Sequence, residues 1–343
     1  MNASSPLVSI IVPAYNAAPY LAELCDSIRA QTHPNFEALI LDDGSIDNTR
    51  EVLEPFRTDS RFKILNWSLN RGVNAATSAL LIRMKGECWC NPGADDVLHP
   101  NFVAQRLAVL EAHPEAAMVH GPAEFIDAKS ARVKVDFPNL KLPANMEGAR
   151  ALSMLLQHNI ISTSSVMVRS DLTRLVLPHF LGDWKYAQDW YLWLLLAATG
   201  FDLRWDEQIL HKYRAHENSL SGRASHAATR RAEIRLVPLC ALSTAAQFSP
   251  LAARLWSRWR KTLYRLWLFR AFNLQREGGL KPDWLQLAAR AFYGANKNHA
   301  SLFREFCKHG LGVALAGQKE RSAIQKQSFR VSGLAQINDP VFF

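Results

Sequence analysis

Val8-Ser9-Ile10-Ile11-Val12-Pro13-Ala14-Tyr15-Asn16 is a short, largely apolar and β-branched run that ends at a proline. That is the pattern of a buried strand running out into a loop. A helical pattern follows, with Leu21, Leu24, Cys25 and Ile28 on one face. The unit then repeats. Phe36 to Leu41 is a second strand pattern, closed by Asp42-Asp43-Gly44-Ser45, and Ser45 or Asp47 can cap the next helix, which carries Val52, Leu53 and Phe56. Phe62 to Leu65 is a third strand, Asn74 to Lys85 a helix stopped by Gly86, and Glu87 to Cys90 a fourth strand. After Ala94-Asp95-Asp96, Pro100 opens a helix to about Glu115, and Ala117 to His120 is a fifth strand. Such alternation predicts an α/β fold with a mostly parallel central sheet flanked by helices. Ligands of these sheets sit beyond the carboxyl ends of the strands. The loops to watch are therefore Pro13 to Asn16, Asp42 to Ser45 and Gly93 to Asp96.

Beyond residue 120 the pattern loosens. A strand is expected around Ser164 to Val168, and an amphipathic, Trp-rich helix near Trp190 to Ala197 follows Ala187-Gln188-Asp189. From 223 onward the sequence reads as helical and basic. The organisation expected is a first domain over 1–222, with halves at about 7–120 and 121–222, and a basic helical region over 223–343.

Composition is that of an ordinary globular chain, 48% hydrophobic and 21% charged. The start, Met1 to Pro6, lacks the pattern of a secretory signal. No stretch reaches the ~18 uninterrupted apolar residues of a membrane span. A soluble or peripheral, cytoplasmic protein is expected. The five cysteines form no CxxC pair, which suggests buried thiols rather than disulfides or a zinc knuckle. Net charge is +9, unevenly spread. Residues 1–222 hold 20 Lys/Arg against 25 Asp/Glu, and residues 223–343 hold 20 against 6.

Carboxylates at the end of buried strands are costly unless solvated, paired or coordinating a cation. For Asp42 and Asp43 three explanations compete: helix capping, a metal, or hydrogen bonds from a ligand. For Asp95 and Asp96, in a small-residue turn, adjacent like charges suit Mg²⁺ or Mn²⁺ with phosphate oxygens, or a helix dipole. Neither pair decides by itself.

Taken together, Val8 to Asn16, Leu41-Asp42-Asp43-Gly44-Ser45-Ile46-Asp47, Gly86-Glu87 and Ala94-Asp95-Asp96 resemble an inverting family 2 glycosyltransferase. The resemblance covers residues 7–120, and more weakly extends to about 222. It implies the glycosyltransferase type A fold and a nucleotide-sugar donor, a UDP-sugar, bound with a divalent metal, Mn²⁺ or Mg²⁺. By position it implies that Pro13 and Tyr15 line the base pocket, Asp43 accepts the base N–H with support from Asp42, and Asp95 contacts ribose or sugar. Asp96 is implied at the metal, and Asn70, Arg71 and Gly72 in a nucleotide-contacting loop. Gly93 departs from the family, where an acid is common, and Thr77-Ser78 stands where Arg-Asn is frequent.

The resemblance extends to Gln188-Asp189-Trp190-Tyr191, like the Glu-Asp segment that opens the family's acceptor-side helix. It implies Asp189 as the general base, with Gln188 in place of the usual Glu. Tyr213-Arg214-Ala215-His216 resembles a segment that closes over the donor. There His216 is implied as a metal ligand or diphosphate contact, and Arg214 as a counter-charge. The acceptor implied is a glycan or a lipid-linked sugar.

Leu251 to Phe272 carries Arg254, Arg258, Lys261 and Arg265 on one helical face beside Leu255, Trp259, Leu263 and Leu266. That pattern fits an interfacial helix on an anionic membrane. It equally fits a helix packed on the catalytic domain or on a second copy in a homo-oligomer. Nucleic acid is disfavoured, because no helix-turn-helix or zinc-finger pattern appears. The competing class is a non-catalytic, membrane-associated binding or scaffold protein on the same fold.

Overall fold

The computed structural model describes residues 5–133, 143–180, 184–217, 219 and 227–257. Two compact units emerge. The first comprises residues 1–151, 161–178 and 201–222, and the second 152–160, 179–200 and 223–343.

The first unit is built on an eight-stranded sheet of order β3-β2-β1-β4-β9-β6-β10-β8. Its strands are β1 (Val8–Ala14), β2 (Phe36–Asp43), β3 (Phe62–Trp67), β4 (Cys88–Cys90), β6 (Ala116–His120), β8 (Asn145–Met146), β9 (Met167–Arg169) and β10 (Asp202–Trp205). Strands β3, β2, β1 and β4 run parallel, and β10 is parallel to β6. The exceptions are β9, antiparallel to both β4 and β6, and β8, antiparallel to β10. The strand expected at Ser164 to Val168 is shorter: a tight turn occupies Thr163–Ser165, and pairing starts at Met167. β2 is buried at every residue, as expected of a strand covered on both faces.

Crossovers between the strands are α1 (Ala18–Arg29), α2 (Thr49–Leu53), α3 (Val73–Arg83) and α4 (Phe102–Ala112). Leu21, Leu24, Cys25 and Ile28 of α1 are buried against the sheet, as their spacing requires. A second sheet of order β5-β11-β7 joins Val97–Leu98, His211–Arg214 and Glu124–Ile126. Two short helices, α5 (Gly148–Leu155) and α6 (Ser170–Val176), complete the order up to residue 176. Cys25, Cys88, Cys90 and Cys240 are buried free thiols.

The second unit contains α7 (Gln188–Ala198) and α8 (Ala227–Ala245). Every residue of α7 from Trp190 to Ala198 is buried, so the expected amphipathic helix is corrected to one apolar all round. Tyr191 Oη and Thr244 Oγ1 lie 2.8 Å apart, Ser249 Oγ donates to the Ala198 carbonyl at 2.5 Å, and Trp190 Nε1 donates to the Leu155 carbonyl at 2.6 Å. Residues 251–257 are helical, and the remainder of the basic stretch 251–272 lies outside the described residues. No helix among the described residues is long and apolar enough to cross a membrane.

The first unit also buries a polar group with a measurable consequence. Arg106 is fully buried and its Nη1 lies 2.7 Å from Asp206 Oδ2. His120 and His211 are buried nearby, and burial, then the Arg106 charge, lowers each imidazole to about 3. Both rings are therefore neutral when folded, whereas in the unfolded chain they protonate near the ordinary histidine value of about 6.5. Below that value the unfolded state binds the extra protons, so stability falls as pH drops towards 3. Each histidine should cost about 1.4 kcal/mol per pH unit in that window. Urea unfolding at pH 7, 6, 5 and 4 should show this slope, and the double variant His120→Gln/His211→Gln should flatten it.

Candidate active site

The site of the first unit lies at the carboxyl ends of β1, β2, β3 and β4. Ala14 at the end of β1 is in register with Asp42, and Asp43 with Trp67. Pro13 is partly buried, whereas Tyr15 is 42% exposed.

The two loops after β1 and β2 are stitched together. Asn16, at φ 51°, donates its main-chain N–H to Ser45 Oγ at 2.9 Å, and its Oδ1 accepts the Ile46 N–H at 3.0 Å. Thr49 Oγ1 accepts the Ala17 N–H at 2.9 Å, and Asp47 Oδ2 the Ala18 N–H at 3.2 Å. The orphan donors at the start of α1 are thus satisfied by side chains from the neighbouring loop. The other oxygen of Asp47 accepts the Thr49 N–H at 3.0 Å, so Asp47 serves two helices at once. Gly44 sits at φ +70°, and a Cβ there would lie 2.5 Å from the Leu69 carbonyl carbon, so the close approach of the β3 loop admits no side chain.

Both acids of the second loop are buried anchors. Asp42 accepts the Ser45 N–H at 3.0 Å and Arg50 Nε at 2.7 Å, and Arg50 also reaches the Trp67 carbonyl at 2.9 Å. Asp43, 2% exposed, accepts the N–H groups of Arg71 and Gly72 at 2.7 and 2.8 Å. Asp43 therefore holds the main chain of the loop whose Arg71 guanidinium stacks 4.8 Å over Trp67.

The third loop separates its two acids. Asp96 is 1% exposed, with Oδ1 accepting the Arg214 N–H at 2.9 Å and Oδ2 accepting Ser164 Oγ. Burial, with the Asp95 charge beside it, pushes its carboxyl well above the usual carboxylate range. Asp95 is the more accessible, its side chain 30% exposed and its Oδ2 3.0 Å from His216 Nε2. His216 in turn packs 4.8 Å from the Tyr20 ring. Gly93 belongs to the same cradle: its N–H donates to Ser164 Oγ at 3.0 Å, and a Cβ there would meet Asp95 Oδ1 at 2.8 Å and Asp96 Oδ2 at 2.9 Å. The two carboxylates occupy the space into which a side chain at 93 would project.

Arg214, read from sequence as a counter-charge facing the donor, is 1% exposed. Nε donates to the Asp95 carbonyl at 2.7 Å, Nη1 to the Asp127 carbonyl and Ser130 Oγ at 3.0 and 2.9 Å, and Nη2 to Glu23 Oε2 at 2.6 Å. Its guanidinium also lies 4.8 Å over Tyr20. It therefore locks the Asp95 main chain to α1 and to the turn after β7.

Within the second unit, Asp189 is partly buried at the first turn of α7. Its Oδ1 accepts the Trp190 N–H at 2.7 Å and its Oδ2 accepts Asn159 Nδ2 at 3.2 Å. Sequence reasoning missed Ser164, Glu23, Tyr20, Thr49 and Asn159. The run Ser162-Thr163-Ser164-Ser165 was a visible hydroxyl cluster, but nothing in it pointed to Asp96, 68 positions earlier in the chain.

Among the described residues no group of three or more His, Cys, Asp or Glu is placed to hold a metal. The Asp95–His216 pair offers two donors, one oxygen and one nitrogen. Mg²⁺ and Mn²⁺ sites of that kind draw their remaining ligands from substrate phosphates and water, so the residues present fit a cation that arrives with a diphosphate.

The Glycosyl transferase family 2 profile matches residues 9–174. An uncharacterized glycosyltransferase of Rickettsia felis is 29% identical over 231 residues, a span covering 66% of this chain and 37% of that protein. The Escherichia coli protein named UDP-Glc:alpha-D-GlcNAc-diphosphoundecaprenol beta-1,3-glucosyltransferase WfgD is 29% identical over 216 residues, covering 63% and 79%. The structure of S. aureus TarS 1-349 in complex with UDP-GlcNAc matches at TM-score 0.58 and 17% identity, covering 95% and 88%. The mannosyltransferase PcManGT of Pyrobaculum calidifontis, in complex with GDP-Man and Mn²⁺, matches at 0.53 and 19%, covering 95% and 85%. At these identities the two structures speak to the fold, which is the glycosyltransferase type A fold. The profile spans the three acid-bearing loops and Ser164, so residues 9–174 match glycosyl transferase family 2.

Proposed function

We propose that this protein transfers a sugar from a nucleoside diphosphate donor, a UDP-sugar, to a glycan or lipid-linked acceptor with inversion. The observation that carries the reading is the Asp95–His216 pair, 3.0 Å apart and partly accessible, mounted on the buried Asp96–Ser164–Arg214 scaffold. That arrangement separates a ligand-facing acid from a load-carrying one. Asp95 and His216 would hold the divalent cation, in place of the role the resemblance implied for Asp96. Bound there, the cation would offset charge on the departing diphosphate.

The chain's own groups then have distinct tasks. Tyr15 presents an exposed ring on which the base would stack. Asp43 keeps a second lone pair on each oxygen for a base N–H, while Asp42 and Arg50 hold its strand end. Asp189 would take the proton from the acceptor hydroxyl as that oxygen attacks the anomeric carbon. The new glycosidic bond forms as the anomeric carbon–phosphate oxygen bond breaks, and the electron pair leaves with the nucleoside diphosphate. The name of the E. coli relative supports a UDP-sugar donor and a diphosphopolyprenol acceptor, and the two solved neighbours support nucleotide-sugar binding by this fold.

The test is thermal stabilisation by UDP, GDP, UDP-N-acetylglucosamine and UDP-glucose, each with and without Mn²⁺. Ligand at 100 times its Kd stabilises by about 2.7 kcal/mol. A Mn²⁺-dependent shift with one nucleotide is expected, together with its loss in Asp95→Asn and in His216→Ala. Absence of any shift in the folded protein would overturn the transferase reading in favour of the scaffold class.

A further inference from the structure

α8 begins more than fifty residues past the end of the family profile at 174, and it carries a buried carboxylate. Glu233 is 0% exposed. Its Oε1 accepts the Lys185 N–H at 3.0 Å, and its Oε2 accepts the Tyr186 and Ala187 N–H groups at 2.6 and 3.1 Å. Three successive main-chain donors on one carboxylate make a nest closed around an internal anion. Those donors are the three residues immediately before Gln188 and Asp189. The N-cap residue of α7, Ala187, has no side chain able to cap it, and no side-chain cap hydrogen bond forms there. Glu233 supplies that anchor from another helix.

Stability alone is a poor reason for such a group. Removing a carboxylate from water costs several kcal/mol, and apolar replacements for buried charges are often neutral or stabilising. α7 and α8 are already joined by apolar surface and by the Tyr191–Thr244 hydrogen bond, and Ser249, just past α8, adds a further bond to the Ala198 carbonyl. Glu233 acts instead at the Asp189 end, where it fixes the path of the main chain into the first helical turn. From there Asp189 projects, its carboxylate further held by the Trp190 N–H and Asn159. We propose that Glu233 is a positioning residue for the reaction, orienting the Asp189 carboxylate through the 185–187 main chain. The proposal rests on the reading of Asp189 as the base. It also makes α8 part of the catalytic apparatus rather than an appendage.

The test uses the full chain with Mn²⁺ and a UDP-sugar donor, UDP-N-acetylglucosamine or UDP-glucose, with water as the acceptor whose proton Asp189 would take, following UDP release. Variants are Glu233→Gln, Glu233→Asp, Asp189→Asn and the pair Asp189→Asn/Glu233→Gln. Glu233→Gln should lower kcat 10- to 100-fold, on the scale that misplacement of a reacting group produces, with donor KM within twofold of wild type. In the Asp189→Asn background it should change kcat by less than twofold, because both act through one group. Glu233→Asp keeps the charge but withdraws it by a methylene; should Glu233→Gln fail to fold, this variant should fold and still lose kcat without losing donor KM. A Glu233 variant with full kcat beside an inactive Asp189→Asn would overturn this proposal alone, as would a loss that multiplies in full with that of Asp189→Asn. Undiminished kcat in Asp189→Asn would overturn the base assignment and this proposal with it.

Discussion

Asp189→Asn should reduce sugar transfer about 10²- to 10⁴-fold while leaving nucleotide affinity within twofold. General-base assistance is worth about 10²–10⁴, and the amide cannot take a proton from the acceptor hydroxyl at neutral pH. The substitution is nearly isosteric. Its oxygen can still accept the Trp190 N–H that Asp189 now caps at 2.7 Å, so α7 should keep its first turn. The groups proposed to face the nucleotide, Tyr15, Asp43 and Asp95, belong to the other unit. Steady-state kinetics with a fixed acceptor, paired with calorimetric titration of UDP and Mn²⁺, separates the two effects. A variant that keeps a tenth or more of the wild-type kcat would reduce Asp189 to a helix cap and send the search for the base elsewhere.

Arg214→Ala should be the most destabilising single change near the site, at about 3–5 kcal/mol from the cavity it opens and the buried carbonyls it leaves without donors. The side chain is 1% exposed, and its removal leaves the Asp95 and Asp127 carbonyls, Ser130 and Glu23 without their guanidinium donor. It also removes the cation from the Tyr20 face. At about 2–4 °C per kcal/mol for a domain of 150–250 residues, the melting temperature should fall by roughly 10 °C. Arg214→Lys should recover part of this, because a single ammonium can pair with Glu23 but cannot span four acceptors in different directions. Differential scanning calorimetry decides between two roles. A large fall in Tm without nucleotide marks Arg214 as a structural lock on the Asp95 loop. An unchanged Tm with weaker donor binding would restore the counter-charge role implied by sequence.

The same residues show how much of the site was legible beforehand. Paired acids at the ends of strand patterns located the Asp42-Asp43 and Asp95-Asp96 loops, because charged groups beside buried apolar runs stand out against them. The division of labour inside each pair could not be read from the residues themselves. Asp95 and Asp96 are adjacent and chemically identical, yet one is partly exposed beside His216 and the other buried under Ser164 and the Arg214 main chain. That difference comes from partners 68 and 118 positions away, and spacing along a chain carries no record of them.

By itself the sequence determined the alternating α/β order, the parallel half-sheet and the loops at its carboxyl edge. Those follow from local periodicity and from turn residues, which act over a few positions. Gly44 and Gly93 could be read as turn formers, but the backbone and carboxylates that crowd them could not. Tertiary structure alone decided that α7 is apolar on every face because it is enclosed, that Arg214 turns inward, and that Glu233 of α8 seats the residues ahead of Asp189. The physical reason is common to all three. Burial and hydrogen-bond partnership are properties of the packed chain, and a charged side chain reads the same in sequence whether water or three main-chain amides await it.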